Sequence, residues 1–168
     1  MRRRFGDMNC SIAQALEVLG DWWTLLIIRE AFLGARRFAD FEANLEISKN
    51  ILSQRLGHLV EHGVLEAVDV GQHGTRYEYT LSPKGKDLVT VLTALREWGD
   101  RWILGEGKEP VVLFDRRTGR RVPRLRIRGE DGAPLGGREL ELRAGPGATK
   151  EQLERAAANS NERAGRRQ

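Results

Sequence analysis

Apolar positions recur every three or four residues through most of the first hundred positions, then every second residue in one short stretch. Residues 11–19, SIAQALEVL, read as a helix: Ser11 and Gln14 have capping-box spacing, and Gly20 ends the run. The next segment, WWTLLIIREAFLG, has Asp21 as its cap and Gly34 as its stop. It is apolar nearly all round, which predicts a central helix buried on most sides. A short helix follows from Phe38 to about Leu45, with Phe38, Phe41 and Leu45 on one stripe. The chain turns at Glu46-Ile47, and Ser48 caps a longer helix that Gly63 stops. Leu52, Leu56 and Leu59 share its inner face.

The period then changes. Val64-Leu65, Ala67, Val68 and Val70 form an extended, β-branched run, residues 71–74 (GQHG) a tip, and residues 75–81 (TRYEYTL) an alternating return strand. Pro83 opens a further helix to about Ile103, with Leu88, Val91, Leu92, Leu95, Trp98 and Trp102 as its apolar stripe. Beyond Gly105 the runs PVVLF, RLRIR and ELELR predict three short strands between Gly-rich turns. Two helices across a tight turn, followed by a hairpin, are the elements of a winged helix-turn-helix. The expected fold is mainly α with a small β wing, plus a small β-rich C-terminal appendage. The expected division is a flexible arm at 1–9, a winged helix-turn-helix domain at 10–104, the appendage at 105–147, and a short helix with a disordered tail at 148–168.

Composition changes this picture in two places. The chain of 168 residues has a net charge of +4, unevenly placed. Residues 1–103 carry 13 Lys/Arg against 14 Asp/Glu, whereas 104–168 carry 15 against 10. A grip on phosphates must therefore come from local clusters or from a dimer that collects them. Seven arginines and no acid lie within residues 116–128. The single cysteine, Cys10, excludes an internal disulfide and a multi-cysteine metal site. No apolar run reaches membrane-spanning length, and the basic N-terminus lacks an apolar signal core, so a reducing cytoplasm and no membrane are expected.

The helix that Ser48 caps carries the most informative chemistry. Asn50, Gln54, Gly57 and Glu61 fall opposite its leucines, flanked by Lys49, Ser53 and His58. Asn and Gln each make two hydrogen bonds to an adenine edge in a major groove. Ser48, Lys49 and the helix start suit a phosphate. Ile51 suits a thymine methyl, and Gly57 permits close approach to a groove wall. Arg36 and Arg37 precede the motif and are placed to hold backbone phosphates. Arg76, with His73 at the tip, suits a minor groove. A plain solvated face gives the same pattern at each position taken alone; the order of elements favours double-stranded DNA.

The chain resembles the HxlR-type regulators, a MarR-like winged-helix family, from about Cys10 to Trp98. The landmarks are Cys10, Leu19-Gly20-Asp21-Trp22-Trp23-Thr24, Gly34, Arg37-Phe38, Ile47-Ser48, Leu52, Leu56, Leu59, Glu61, Gly63, Tyr77-Glu78-Tyr79-Thr80-Leu81, Gly85 and Trp98. The chain departs from the family at Ser11, where Pro is usual, and at Asp21-Trp22, where a small residue and Lys are usual. The resemblance implies a bacterial homodimer that binds a palindromic operator. It also makes Cys10 a candidate thiol sensor for an oxidant effector, which its place near a helix start supports. Trp22, Trp23, Leu95, Trp98 and Trp102 are candidates for a dimer surface or a cleft for a planar small molecule; ordinary core packing is the alternative. The appendage is similar to a zinc ribbon that has lost every thiolate, so no metal and no cofactor are expected. A tryptophan-lined small-molecule module is the competing function. An enzyme pairing Cys10 with His58, His62 or His73 lacks any supporting catalytic motif.

Overall fold

The computed structural model describes residues 5–71 and 76–156. The Arg2–Arg4 arm, the tip residues 72–75 with His73, and the tail at 157–168 lie outside the described residues. In chain order the elements are α1 (Ser11–Leu19), α2 (Trp22–Leu33), α3 (Phe38–Leu45), α4 (Lys49–Glu61), β1 (Leu65–Asp69), β2 (Tyr77–Leu81), α5 (Pro83–Asp87) and α6 (Val89–Gly99). The fold is a mainly helical winged helix-turn-helix with a two-stranded antiparallel wing, paired from Leu65 with Leu81 to Asp69 with Tyr77.

Packing of α3 and α4 on α2 makes the core. Ile27 and Ile28 of α2, Phe41 of α3 and Leu52, Leu56 and Leu59 of α4 are all essentially inaccessible, and Val64 and Leu65 close the cluster. The leucine face of α4 is thus buried as its spacing predicts. The α2 helix is less enclosed than expected: Trp22 is 76% and Leu33 70% exposed, left uncovered by the described residues. Buried Glu30 ties α2 to α3, its Oε2 accepting from Asn44 Nδ2 at 2.9 Å while Arg29 neutralises Oε1. The tight turn between α3 and α4 places Glu46 in the left-handed region at φ 50°, which ends α3.

Several expectations need correction. Cys10, not Ser11, is the N-cap of α1, and its thiol makes no capping bond. Gln14 instead turns back to the carbonyls of Gly6 and Met8. Residues 5–9 are consequently held rather than free: Phe5–Asp7 form a 3-10 turn, and Glu17 accepts from Gly6 N at 2.8 Å. The helix expected from Pro83 to Ile103 is broken twice. A tightened turn at Leu88, whose N–H reaches back to Gly85 O, separates α5 from α6. After Gly99 the chain widens into a π turn, Asp100–Leu104, so the α-helical spacing between Trp98 and Trp102 is not kept. In the appendage the three strands are replaced by two turns closed by single bridges, Phe114–Arg121 and Arg128–Pro134. Asp115 and Asp131 hold these turns by accepting from nearby backbone N–H groups, and ELELR forms no ladder. The appendage is fastened to α6, where Arg96 donates to Val111 O at 2.9 Å and Glu97 accepts from Leu125 N at 3.0 Å.

The hairpin is pinned to α5 by a close backbone approach. Ser82 donates to Gly63 O at 2.7 Å and accepts from Gly85 N at 3.0 Å. A Cβ on Gly85 would stand 2.2 Å from Val64 O, a backbone atom that cannot step aside. Gly85→Ala is therefore expected to lower stability by about 2 kcal/mol or more, as overpacking of a tight site does. Denaturant unfolding checks this; a stability equal to the parent's would show that α5 can move away from the wing.

Candidate nucleic-acid interface

Each end of α4 is fixed by a polar contact as well as by its leucines. Ser48 is the N-cap and its hydroxyl accepts from Ile51 N at 3.4 Å. Arg55, on the flank, pairs with Asp21 Oδ2 at 3.0 Å, and Asp21 in turn caps α2 through Trp23 N. His58 Nε2 lies 3.1 Å from Val18 O of α1. With the inner face held so, Lys49, Asn50, Ser53, Gln54 and Gly57 are all left exposed on the outer one, and Ile51 is 37% exposed. This surface is amide-bearing and carries the cation Lys49, whose Nζ lies 3.9 Å from Glu42 Oε1. Gly57 has no neighbour where a Cβ would stand, so nothing inside the fold requires a glycine there.

The loop before α3 joins this surface to the wing. Tyr79 N donates to Arg36 O at 2.8 Å, and Arg37 forms a single bridge with Glu78 of β2. Asp40 accepts from the N–H groups of Arg37 (2.9 Å) and Arg36 (3.2 Å), which holds its carboxyl below the usual 3.8. The Arg36 side chain is exposed. The Arg37 guanidinium, expected to be available to phosphate, lies 3.2 Å from Glu78 Oε1 and braces the wing. Sequence reasoning missed this pairing, because Glu78 is 41 positions away.

Asp69 organises the base of the wing tip. Its Oδ1 accepts from Arg76 N at 3.0 Å and Gly71 N at 2.9 Å, so its carboxyl too sits below 3.8. Arg76 is exposed beside this anchor. Asp69 was not singled out from the sequence, although an Asp two residues before a Gly is a recognisable side-chain-stabilised turn.

The aromatic candidates are not gathered into one cleft. Trp23 packs against the core, whereas Trp22, Trp98 and Trp102 are 76%, 56% and 65% exposed. Among the described residues no two tryptophan rings stack; Trp102 lies under its neighbour Arg101, 4.7 Å away. Leu95 and Val91 of α6 and Ile12 and Leu16 of α1 are exposed apolar residues as well. Cys10 is exposed in an open cleft with Asn9, Gln14, Arg143 and Gln152, where Asn9 and Gln152 exchange hydrogen bonds. Neither His58 nor His62 lines that cleft, so among the described residues no imidazole there accompanies the thiol. Among the described residues no single helix is long and apolar enough to cross a membrane.

Comparison with known proteins agrees with this geometry. Residues 18–106 match the HxlR-like helix-turn-helix family. The chain is 38% identical over 138 residues to Rv3095 of Mycobacterium tuberculosis, an uncharacterised HTH-type transcriptional regulator, covering 82% of this chain and 87% of that one. An alignment of that length cannot fit within the winged domain, so it extends into the appendage. Two solved structures are similar along nearly their whole length. PA1607 is 40% identical with a TM-score of 0.76, covering 84% of this chain and 99% of its own. PA1374 from Pseudomonas aeruginosa is 38% identical with a TM-score of 0.63, covering 87% and 99%. A buried three-leucine face, an outward amide-bearing face, a wing and this match together place the chain in the HxlR-like family of helix-turn-helix transcriptional regulators.

Proposed function

We propose that the protein is a homodimeric, sequence-specific regulator that reads an operator with the outer face of α4 in the major groove. The observation that carries this reading is the row Asn50, Ser53 and Gln54, exposed on a helix whose other face is locked in the core. Asn50, Ser53 and Gln54 reach base edges; Ser48, Lys49 and Arg36 meet phosphates. Arg37 holds the wing and lends charge beside the backbone. Arg76 enters the minor groove from a tip that Asp69 organises. Such a regulator works in the cytoplasm, with DNA as its partner.

Dimerisation follows from the unsatisfied apolar surface. The α6 helix has no buried residue, and its Val91, Leu95 and Trp98 are exposed, as are Ile12 and Leu16 of α1; exposed apolar side chains gathered on helices suit a partner surface. Pairing along α6 and α1 brings two copies of α4 to one side of a duplex and collects the scattered cations. The exposed Cys10 at the start of α1 gives an oxidant direct access to that interface. The alternative, a planar ligand between tryptophans, draws on the exposure of Trp22, Trp98 and Trp102 and needs the dimer to close the cleft.

On a duplex selected from a random pool, Gln54→Ala should lose roughly 1–3 kcal/mol of discrimination against scrambled DNA. Gly57→Ala should raise helix stability by about 1 kcal/mol yet weaken operator binding. If both variants discriminate as the parent does, α4 is not the reader. Replacing Leu95 and Trp98 by Glu should turn a species of twice the 19.0 kDa chain mass into one of single mass in light scattering; a parent already at single mass contradicts the dimer. Asp69→Ala should weaken binding while leaving the major-groove discrimination by Gln54 intact, because the wing meets only the minor groove. The folded Asp69 carboxyl is lowered, so its hold on the wing is complete above about 3.8 and fades as pH falls through the lowered value. Amide-exchange protection factors at Gly71 and Arg76 should fall over that acid window, and protection that stays constant down to full protonation would show that the carboxylate does not order the tip.

A further inference from the structure

The last turn of α4 carries a cluster that transcription alone does not explain. His58, Glu61 and His62 place one ring nitrogen each and a carboxylate oxygen all within 4.8 Å of one another. The spacing i, i+3, i+4 puts three donors on one helical face, and the two imidazoles lie 4.2 Å apart.

The hydrogen bonds fix which nitrogens are available. His58 Nε2 faces Val18 O at 3.1 Å and His62 Nδ1 faces His58 O at 2.9 Å. A carbonyl oxygen only accepts, so each of these nitrogens carries the proton. That leaves His58 Nδ1 and His62 Nε2 with the lone pairs. A ring N–H donated to a backbone carbonyl is the usual support of a metal-ligating histidine. The Nζ of Lys84 is bound to His62 O at 2.7 Å and not to an imidazole. The carbonyl end of α4 adds a partial negative charge that favours a cation.

We propose that His58, Glu61 and His62 form a binding site for one divalent transition-metal ion of the Zn²⁺ type. Two imidazoles and a carboxylate suit zinc, copper, nickel or cobalt and discriminate against magnesium and calcium, which prefer all-oxygen shells. The donors lie within 4.8 Å of one another, so coordination at about 2.0–2.1 Å from a common centre requires them to close in. Three protein ligands leave a coordination position for water or an external group. An ion there holds the His58 ring whose Nε2 meets Val18 O of α1, the contact between the reading helix and the proposed dimer helix. This departs from the metal-free expectation of the sequence, which rested on the single cysteine and the missing thiolates of the appendage.

The test uses the full chain with Cys10→Ser and His73→Asn, so that no other thiol or imidazole competes. Calorimetric titration with ZnCl₂ should give one site per chain and a raised thermal midpoint, unaffected by excess Mg²⁺. His62→Gln, shown folded by circular dichroism, should weaken Zn²⁺ roughly 10-fold or more, and Glu61→Gln by less. An affinity unchanged in folded His62→Gln, or no saturable Zn²⁺ binding below about 1 mM, overturns the proposal.

Discussion

One-sided burial of α4 is the constraint on which the other features rest. Leu52, Leu56 and Leu59 sit against Ile27 and Ile28 with essentially no accessible surface. Fully burying three such side chains is worth several kcal/mol, at about 1.5–3 kcal/mol each. Rotating α4 by even one position would take a leucine out of the core and put a polar residue into it. The opposite face therefore has no freedom in what it displays. Asn50, Ser53, Gln54 and Gly57 are outward because the leucines are inward.

Polar contacts then refine what burial sets roughly. Arg55 to Asp21 and His58 to Val18 attach α4 to the start of α2 and to α1, respectively. The loop before α3 hydrogen-bonds to β2 through Arg36 and Tyr79, so the wing moves with the helix-turn-helix. These contacts are partly solvated and individually small. Their effect is on geometry: a groove-reading helix and a groove-edge hairpin must keep a constant relative position to meet one duplex.

Much of this was legible in the chain because it is encoded by period. The stripe of α4, the alternation of β2 and the stops at Gly34 and Gly63 depend on neighbours within a few positions, and the structure follows them. The misreadings share a cause in local patterns that compete with tertiary packing. Ser11 and Gln14 have capping spacing, yet Gln14 finds the carbonyls of Gly6 and Met8 instead. The runs in the appendage alternate like strands, but with few apolar neighbours to cover them they close only single bridges. Long-range pairs such as Arg37 with Glu78 and Glu30 with Asn44 leave no periodic trace. The His58, Glu61 and His62 trio was visible as a spacing, but its meaning depended on the carbonyls that fix the tautomers.

The most direct test of the central claim is an amide chemical-shift map of the labelled protein titrated with a selected duplex. Contact through the outward face of α4 predicts the largest shifts from Lys49 to Gly57, with a second group at Gly71 and Arg76. Shifts confined to the arginine-rich turns at 116–128, with the α4 amides unmoved, would contradict it.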